Sequence, residues 1–168
     1  LFVGRLEERK GIFTLLRALK LLEKIPNPPR LLCLGADMLS GRVRRWVEEN
    51  TMNDIIDLKG HVPDSEYHAL LQQCPIVVVP SYLEGFGLVA AEAMMRGACV
   101  IASNCPGLRS IIRDRETGVL FRTGDAQDCA EKIQTLMGDS VAREAIGDRA
   151  REEAMKRFDP LLIVCQYI

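Results

Sequence analysis

Apolar runs only three to five residues long, alternating with longer stretches of helical period, limit what this chain can fold into more than any other feature. Such a short uninterrupted run is a strand buried on both faces. Strand, helix and strand in succession return the chain parallel to itself, with helices covering the sheet. Strands are expected at 1–3, 31–34, 55–58, 76–79, 99–102 and, with a weaker pattern, 119–121. The first helix is marked by Ile12, Leu15, Leu16, Leu19 and Leu22 on one stripe, between Gly11 and the breakers Pro26, Asn27, Pro28 and Pro29. Further helices are expected at about 40–50, 64–73, 86–96, 125–137 and 139–157, with Asp64 and Asp125 as N-caps. The fold class is therefore α/β: a Rossmann-like open parallel sheet of about six strands with helices on both faces.

Composition removes several function classes. With 48% hydrophobic and 27% charged residues in 168, the chain can bury a full-sized core, so disorder and fibrous repeats are excluded. Basic and acidic side chains number 22 and 23, so no net field draws it onto nucleic acid. No apolar run approaches the roughly 20 residues that cross a bilayer, and the first residues lack the order of a secretory signal. The six cysteines include no C-x-x-C pair and several sit in apolar runs, which points to a reducing, cytoplasmic setting. Leu1, Phe2 and Val3 read as the end of a strand, so residues 1–168 are expected to be one domain of a longer protein. The apolar segment 161–165 is read as a surface bared by removal of another domain, in preference to a core-docking tail.

An open parallel sheet gathers its binding site at the carboxyl ends of its strands, where loops run into helix N-termini. There this sequence places Gly4, Arg5, Lys10 and Gly11, then Gly35, Ala36 and Asp37, then Gly60 and His61, then Pro80, Ser81, Glu84, Gly85, Phe86 and Gly87, then Ser103 and Asn104. In the fourth group Gly85 and Gly87 admit a ligand close to the backbone. The helix beginning near Phe86 offers unpaired amides to an anion, for which phosphate is the natural guest. Glu84 precedes those amides and Glu92 lies roughly 9 Å along the helix axis. Each glutamate alone reads equally well as a solvated carboxylate, but the glycines between them favour a site. Carboxylates repel phosphate and accept hydrogen bonds from hydroxyls, so the pattern suits a diphosphate with sugar on both sides. Arg5 supplies a rigid fork for phosphate oxygens and Lys10 a movable charge. The clusters Arg42, Arg44, Arg45 and Arg149, Arg151, Lys156, Arg157 read as solvated helix faces. His61 either lines the pocket or is an ordinary loop histidine, and His68 reads as structural. No zinc-ligand spacing, G-x-S-x-G elbow, Walker lysine motif or strand-following G-x-G-x-x-G occurs.

These residues resemble a known family. Phe2-Val3-Gly4-Arg5 with Lys10-Gly11, then Glu84-Gly85-Phe86-Gly87-Leu88 through Glu92 in an E-x7-E spacing, then Gly97 and Thr117-Gly118-Val119-Leu120, are similar to the C-terminal, donor-binding domain of group 1 retaining glycosyltransferases. Those are two-domain GT-B enzymes. The resemblance implies that Arg5 and Lys10 hold the donor diphosphate and that Glu84 contacts donor-sugar hydroxyls, which makes these three the expected catalytic residues. It also implies that the 85–88 backbone meets sugar and phosphates, that Glu92 takes the ribose hydroxyls, and that His61 and Val62 meet the nucleobase. No metal or other cofactor is expected, consistent with the lack of a D-x-D motif. Expected partners are a nucleotide-sugar donor and a sugar, glycan or lipid-linked acceptor bound by an N-terminal domain, with peripheral contact at the cytoplasmic membrane face open to the whole enzyme. A non-catalytic nucleotide-sugar-binding module is the alternative. Two departures stand out: Pro106-Gly107-Leu108-Arg109-Ser110 replaces a Gly-Gly turn followed by an acid, and Gly35-Ala36-Asp37 lacks a second glycine.

Overall fold

The computed structural model describes residues 1–158; the expectation for segment 161–165 lies outside them. Six parallel strands form as the apolar runs predict: β1 (Phe2–Val3), β2 (Leu31–Leu34), β3 (Ile56–Gly60), β4 (Ile76–Val79), β5 (Cys99–Ser103) and β6 (Val119–Phe121). They pair as two three-stranded ladders, β1-β2-β3 and β4-β5-β6. The ladders meet at Leu1, whose nitrogen donates to the Ile76 carbonyl at 2.9 Å and whose carbonyl accepts from the Val78 amide at 2.9 Å. Read across that seam, the order is β3-β2-β1-β4-β5-β6, which reverses direction between β1 and β4. A crevice opens at such a reversal.

Both faces of the sheet are dry, and the side chains alternate as strand geometry requires. Val78, Cys99 and Ile101 point into one core with Phe2 and Phe121; Val77, Val79, Val100 and Ala102 point into the other. The first core is closed by α1 (Ile12–Leu22), whose Leu15, Leu16 and Leu19 are buried, packed on α6 (Ala126–Gly138) through Cys129, Ala130, Ile133 and Leu136. It also takes Val43 and Val47 of α2 (Arg42–Glu49).

The second core is closed by α3 (Asp64–Gln73), α4 (Leu88–Met95) and α7 (Ser140–Phe158). Here the contact residues are small. Ala90, Ala91 and Ala93 face Ala150 and Ala154, and a Cβ placed on Gly147 would lie 2.2 Å from the Gly97 carbonyl oxygen. Small residues let α4 and α7 approach backbone to backbone, which fixes α4, the helix that carries Glu92.

Two expectations need correction, and one element was not foreseen. Asp64 does not cap α3: Pro63, extended at ψ 152°, holds the N-cap position and Asp64 is the first helical residue. Its carboxylate still favours the helix electrostatically from there. The fourth helix begins at Leu88, because Gly87 adopts a left-handed cap conformation at φ +91°. A short helix, α5 (Pro106–Arg109), follows β5; four residues are too few to show a period, although Pro106 at its first turn is a start signal. Asp125 does cap α6, accepting from the Asp128 amide at 3.0 Å. No helix among the described residues is long and apolar enough to cross a membrane.

Candidate active site at the carboxyl ends of the strands

The loop after β1 makes a 3-10 turn at Glu8–Lys10 and enters α1 through Gly11. Gly11 is left-handed at φ +70°, and a Cβ there would lie 1.9 Å from the Pro80 carbonyl oxygen. The turn therefore rests directly on the loop after β4. Two hydrogen bonds stitch the loops together: the Tyr82 amide donates to the Arg9 carbonyl at 2.9 Å, and Thr14 Oγ1 and the Tyr82 hydroxyl are 2.9 Å apart. Ser103 Oγ donates to the Ser81 carbonyl from β5, anchoring the second loop from below.

This stitching brings Lys10 and Glu84, 74 positions apart, into contact. Lys10 Nζ donates to Glu84 Oε1 at 2.5 Å, and Ser81 Oγ donates to the same oxygen at 3.0 Å. Both side chains of the ion pair are mostly buried, 21% and 14% exposed, so the pair is screened far less than a surface bridge. Among the described residues, nothing donates to Glu84 Oε2. Segment 85–88 continues to α4, whose first amides have no side-chain cap. Gly107 of α5 backs this segment, since a Cβ on it would lie 2.1 Å from the Glu84 carbonyl oxygen. The departure at 106–110 thus sets the backbone path of Glu84.

Beside this cluster lies a cleft of about 370 Å³. Gly4, Arg5, Gly35, Ala36, His61, Val62, Asp64, Tyr67, Val89 and Glu92 line it, with Val3 and Leu34 at its floor. Gly35 is required by packing, because a Cβ would lie 2.1 Å from the Gly4 carbonyl oxygen. The volume suits a small organic ligand. The Arg5 guanidinium is 56% exposed and only loosely paired with Glu7 at 3.5 Å, so it is available to an anion. Lys10 adjoins the same cleft: its Cδ is 4.0 Å from the Cβ position of Gly4.

Of the residues singled out from sequence, Gly4, Arg5, Gly35, His61, Val62 and Glu92 share the cleft, and Lys10, Ser81 and Glu84 share the adjoining cluster. Gly85, Phe86, Gly87 and Leu88 form the connecting lip, with Leu88 69% exposed. Sequence reasoning missed Tyr67, which donates its hydroxyl to Glu92 Oε2. Its signal was available in part: Tyr67 follows Asp64 by one helical turn and so shares its face. Among the described residues no three His, Cys, Asp or Glu side chains gather as a metal ion would need. A second groove of about 230 Å³ lies at the amino ends of the strands, among Leu1, Leu15, Leu19, Ile76 and Ile133, and is too apolar for this chemistry.

Comparison with known proteins decides the family. The model for glycosyl transferases group 1 matches residues 1–153. The chain belongs to the group 1 glycosyl transferases. Among this family's members, it is 33% identical over 161 residues to D-inositol 3-phosphate glycosyltransferase of Corynebacterium aurimucosum, covering 92% of this chain and 38% of that protein. It is 30% identical over 167 residues to the capsular polysaccharide biosynthesis glycosyltransferase CapM of Staphylococcus aureus, covering 96% and 42%. The chain thus spans about two-fifths of the length of the curated relatives it matches.

Sucrose-phosphate synthase from Thermosynechococcus elongatus superposes with a TM-score of 0.89 at 32% identity, over 99% of this chain and 43% of that one. HepE from Anabaena, solved with UDP-glucose, gives 0.86 at 26%, over 98% and 46%. The C-terminal domain of the glycosyl transferase LpcC from Francisella tularensis gives 0.84 at 26%, over 94% of this chain and 84% of that one. The group 1 chain described here is accordingly a C-terminal domain of the GT-B architecture, as the sequence led us to expect.

Proposed function

We propose that this domain binds a nucleoside diphosphate sugar and supports transfer of its glycosyl group, with retention of configuration and without a metal, to an acceptor held outside the chain. The observation that carries the reading is the junction of the Lys10–Glu84–Ser81 cluster with the cleft containing Arg5 and Glu92. Cation, free helix amides and two separated carboxylates meet there, as a diphosphate flanked by two sugars requires. HepE, a neighbour solved with UDP-glucose, supports a ligand of this class.

As the bond from the anomeric carbon to the phosphate oxygen stretches, positive charge gathers on the sugar ring and negative charge on the departing diphosphate. Groups that bind the second charge more strongly as it grows lower the barrier. Lys10 is suited to this because an ammonium has three donors and Glu84 engages only one of them. Arg5 and the α4 amides add to it. Glu84 Oε2 is left for a sugar hydroxyl, and the carboxylate charge favours an oxocarbenium-like ring. His61 and Val62, which line the cleft, are assigned to the base from the family likeness. The retaining outcome and the lack of a metal rest on the family likeness, and a cytoplasmic setting is proposed from the cysteine pattern of the sequence.

Calorimetry of the protein with UDP and with GDP tests the reading: binding of one in the micromolar to millimolar range supports it, and binding of neither at millimolar ligand refutes it. Tight binding without turnover in the full-length protein would favour a non-catalytic module instead.

A further inference from the structure

Glu92 does not stand alone in its cleft. Helix α3 turns Asp64 and Tyr67 onto the lining, and the Tyr67 phenol donates to Glu92 Oε2. Among the described residues, Glu92 Oε1 accepts no hydrogen bond. The Tyr67 ring is half-buried; burial, then the hydrogen bond and charge of Glu92, hold its phenol above the ordinary value of 10.0, so it persists as a donor. The backbone of Glu92 is engaged as well. Arg96 Nη1 donates to the Glu92 carbonyl at 3.3 Å, and Arg96 Nη2 lies 2.8 Å from His68 Nδ1, whose ring sits 5.1 Å from that of Tyr67. Two contacts thereby join α3 to the α4 segment: Tyr67 to the Glu92 carboxylate and His68 to Arg96.

We infer that Tyr67 is a positioning residue for the nucleoside: it holds Glu92 by one oxygen and so presents the other to the adjacent hydroxyls of a ribose. The inference rests on the reading that the cleft takes a nucleoside diphosphate. A carboxylate offers about four lone-pair sites, and the phenol occupies one of them. An untethered glutamate would lose rotamer freedom on binding, whereas a held one is already ordered. Tyr67 therefore acts through Glu92 and not by touching the reacting atoms.

The test compares UDP with 2′-deoxy-UDP, or the guanosine pair if that base is bound, by calorimetry on wild type, Tyr67→Phe, Glu92→Gln and the double variant. Wild type is expected to prefer the ribonucleotide. Tyr67→Phe should bind it up to about tenfold more weakly, the ordering cost of one rotamer-rich side chain, and lose most of the preference for the 2′-hydroxyl. The donor KM should rise with kcat little changed. In the Glu92→Gln background, adding Tyr67→Phe should cost nothing further. The preference is a ratio taken within each variant, so any loss of stability cancels. A Tyr67→Phe protein that keeps the wild-type ratio, binds as tightly or more tightly, or shows an undiminished cost beside Glu92→Gln overturns the inference. Failure of wild type to bind any ribonucleotide overturns the underlying functional reading first.

Discussion

Replacing Gly11 with Ala should damage stability and activity together, because this residue seats the Lys10 turn on the loop that carries Glu84. The added Cβ would lie 1.9 Å from the Pro80 carbonyl oxygen and 2.7 Å from its carbon, where real atoms essentially never come within 3.0 Å. Both obstacles are backbone, so no rotamer relieves the clash and the two loops must separate by about 1 Å. An alanine at φ +70° itself costs about 1–2 kcal/mol. Separation strains the Tyr82–Arg9 and Thr14–Tyr82 hydrogen bonds, at about 1 kcal/mol each. A total loss of about 3–4 kcal/mol lowers the melting temperature by roughly 10 °C in a domain of this size. The same displacement pulls Lys10 from its place, and an error of about 1 Å costs on the order of 100-fold in rate. Thermal melts and donor turnover of the full-length protein read both effects. Gly138→Ala is the control, because its Cβ meets nothing within 4 Å at the end of α6; it should leave stability unchanged or raise it by up to about 1 kcal/mol. A Gly11→Ala protein that melts and turns over like wild type refutes the argument.

Lys10→Ala and Glu84→Ala should each lower turnover by about 100- to 1,000-fold, the range for one well-aimed charge-stabilising group, checked by steady-state kinetics with saturating donor. Asp125→Ala should cost about 1 kcal/mol through loss of the α6 cap, measurable by urea unfolding, with no change in donor affinity. Burial pushes the thiols of Cys33 and Cys129 up to about 12 and that of Cys99 up to about 11, from 9.0. Peptide mapping after reaction with a thiol reagent at pH 8 should find these three unlabelled in the native protein and labelled in denaturant. Below pH 9 both states keep those protons, whereas above it the unfolded chain releases them while the folded chain does not. Stability should therefore fall between about pH 9 and 12, and a flat alkaline limb would contradict the burial of these thiols.

The strands were legible because a residue buried on both faces must be apolar, and 76–79 and 99–102 state this without interruption. The site's location followed from the strand-end rule applied to Gly4, Gly35 and Glu84. What the sequence could not supply is the contact across it. Lys10 and Glu84 each carry an ordinary charge in an ordinary loop, and only the seating of Gly11 on Pro80 makes them a pair. Tyr67 escaped notice for the same reason, since its importance comes from a carboxylate on a different helix. Asp64 illustrates a local rule overridden by its neighbour: an aspartate before a helix normally caps it, but Pro63 already occupies that conformation. Helix α5 was hidden by its length alone.

The seam at Leu1 splits the work between two stretches of chain. Nearly all of the cleft wall, from Val3 to Tyr67, comes from the ladder on one side, while Ser81, Glu84 and the lip at 85–88 come from the other, which reaches back only through Val89 and Glu92. Neither stretch can therefore shift without the other, because Lys10 of the first is bonded to Glu84 of the second and Gly11 rests on Pro80.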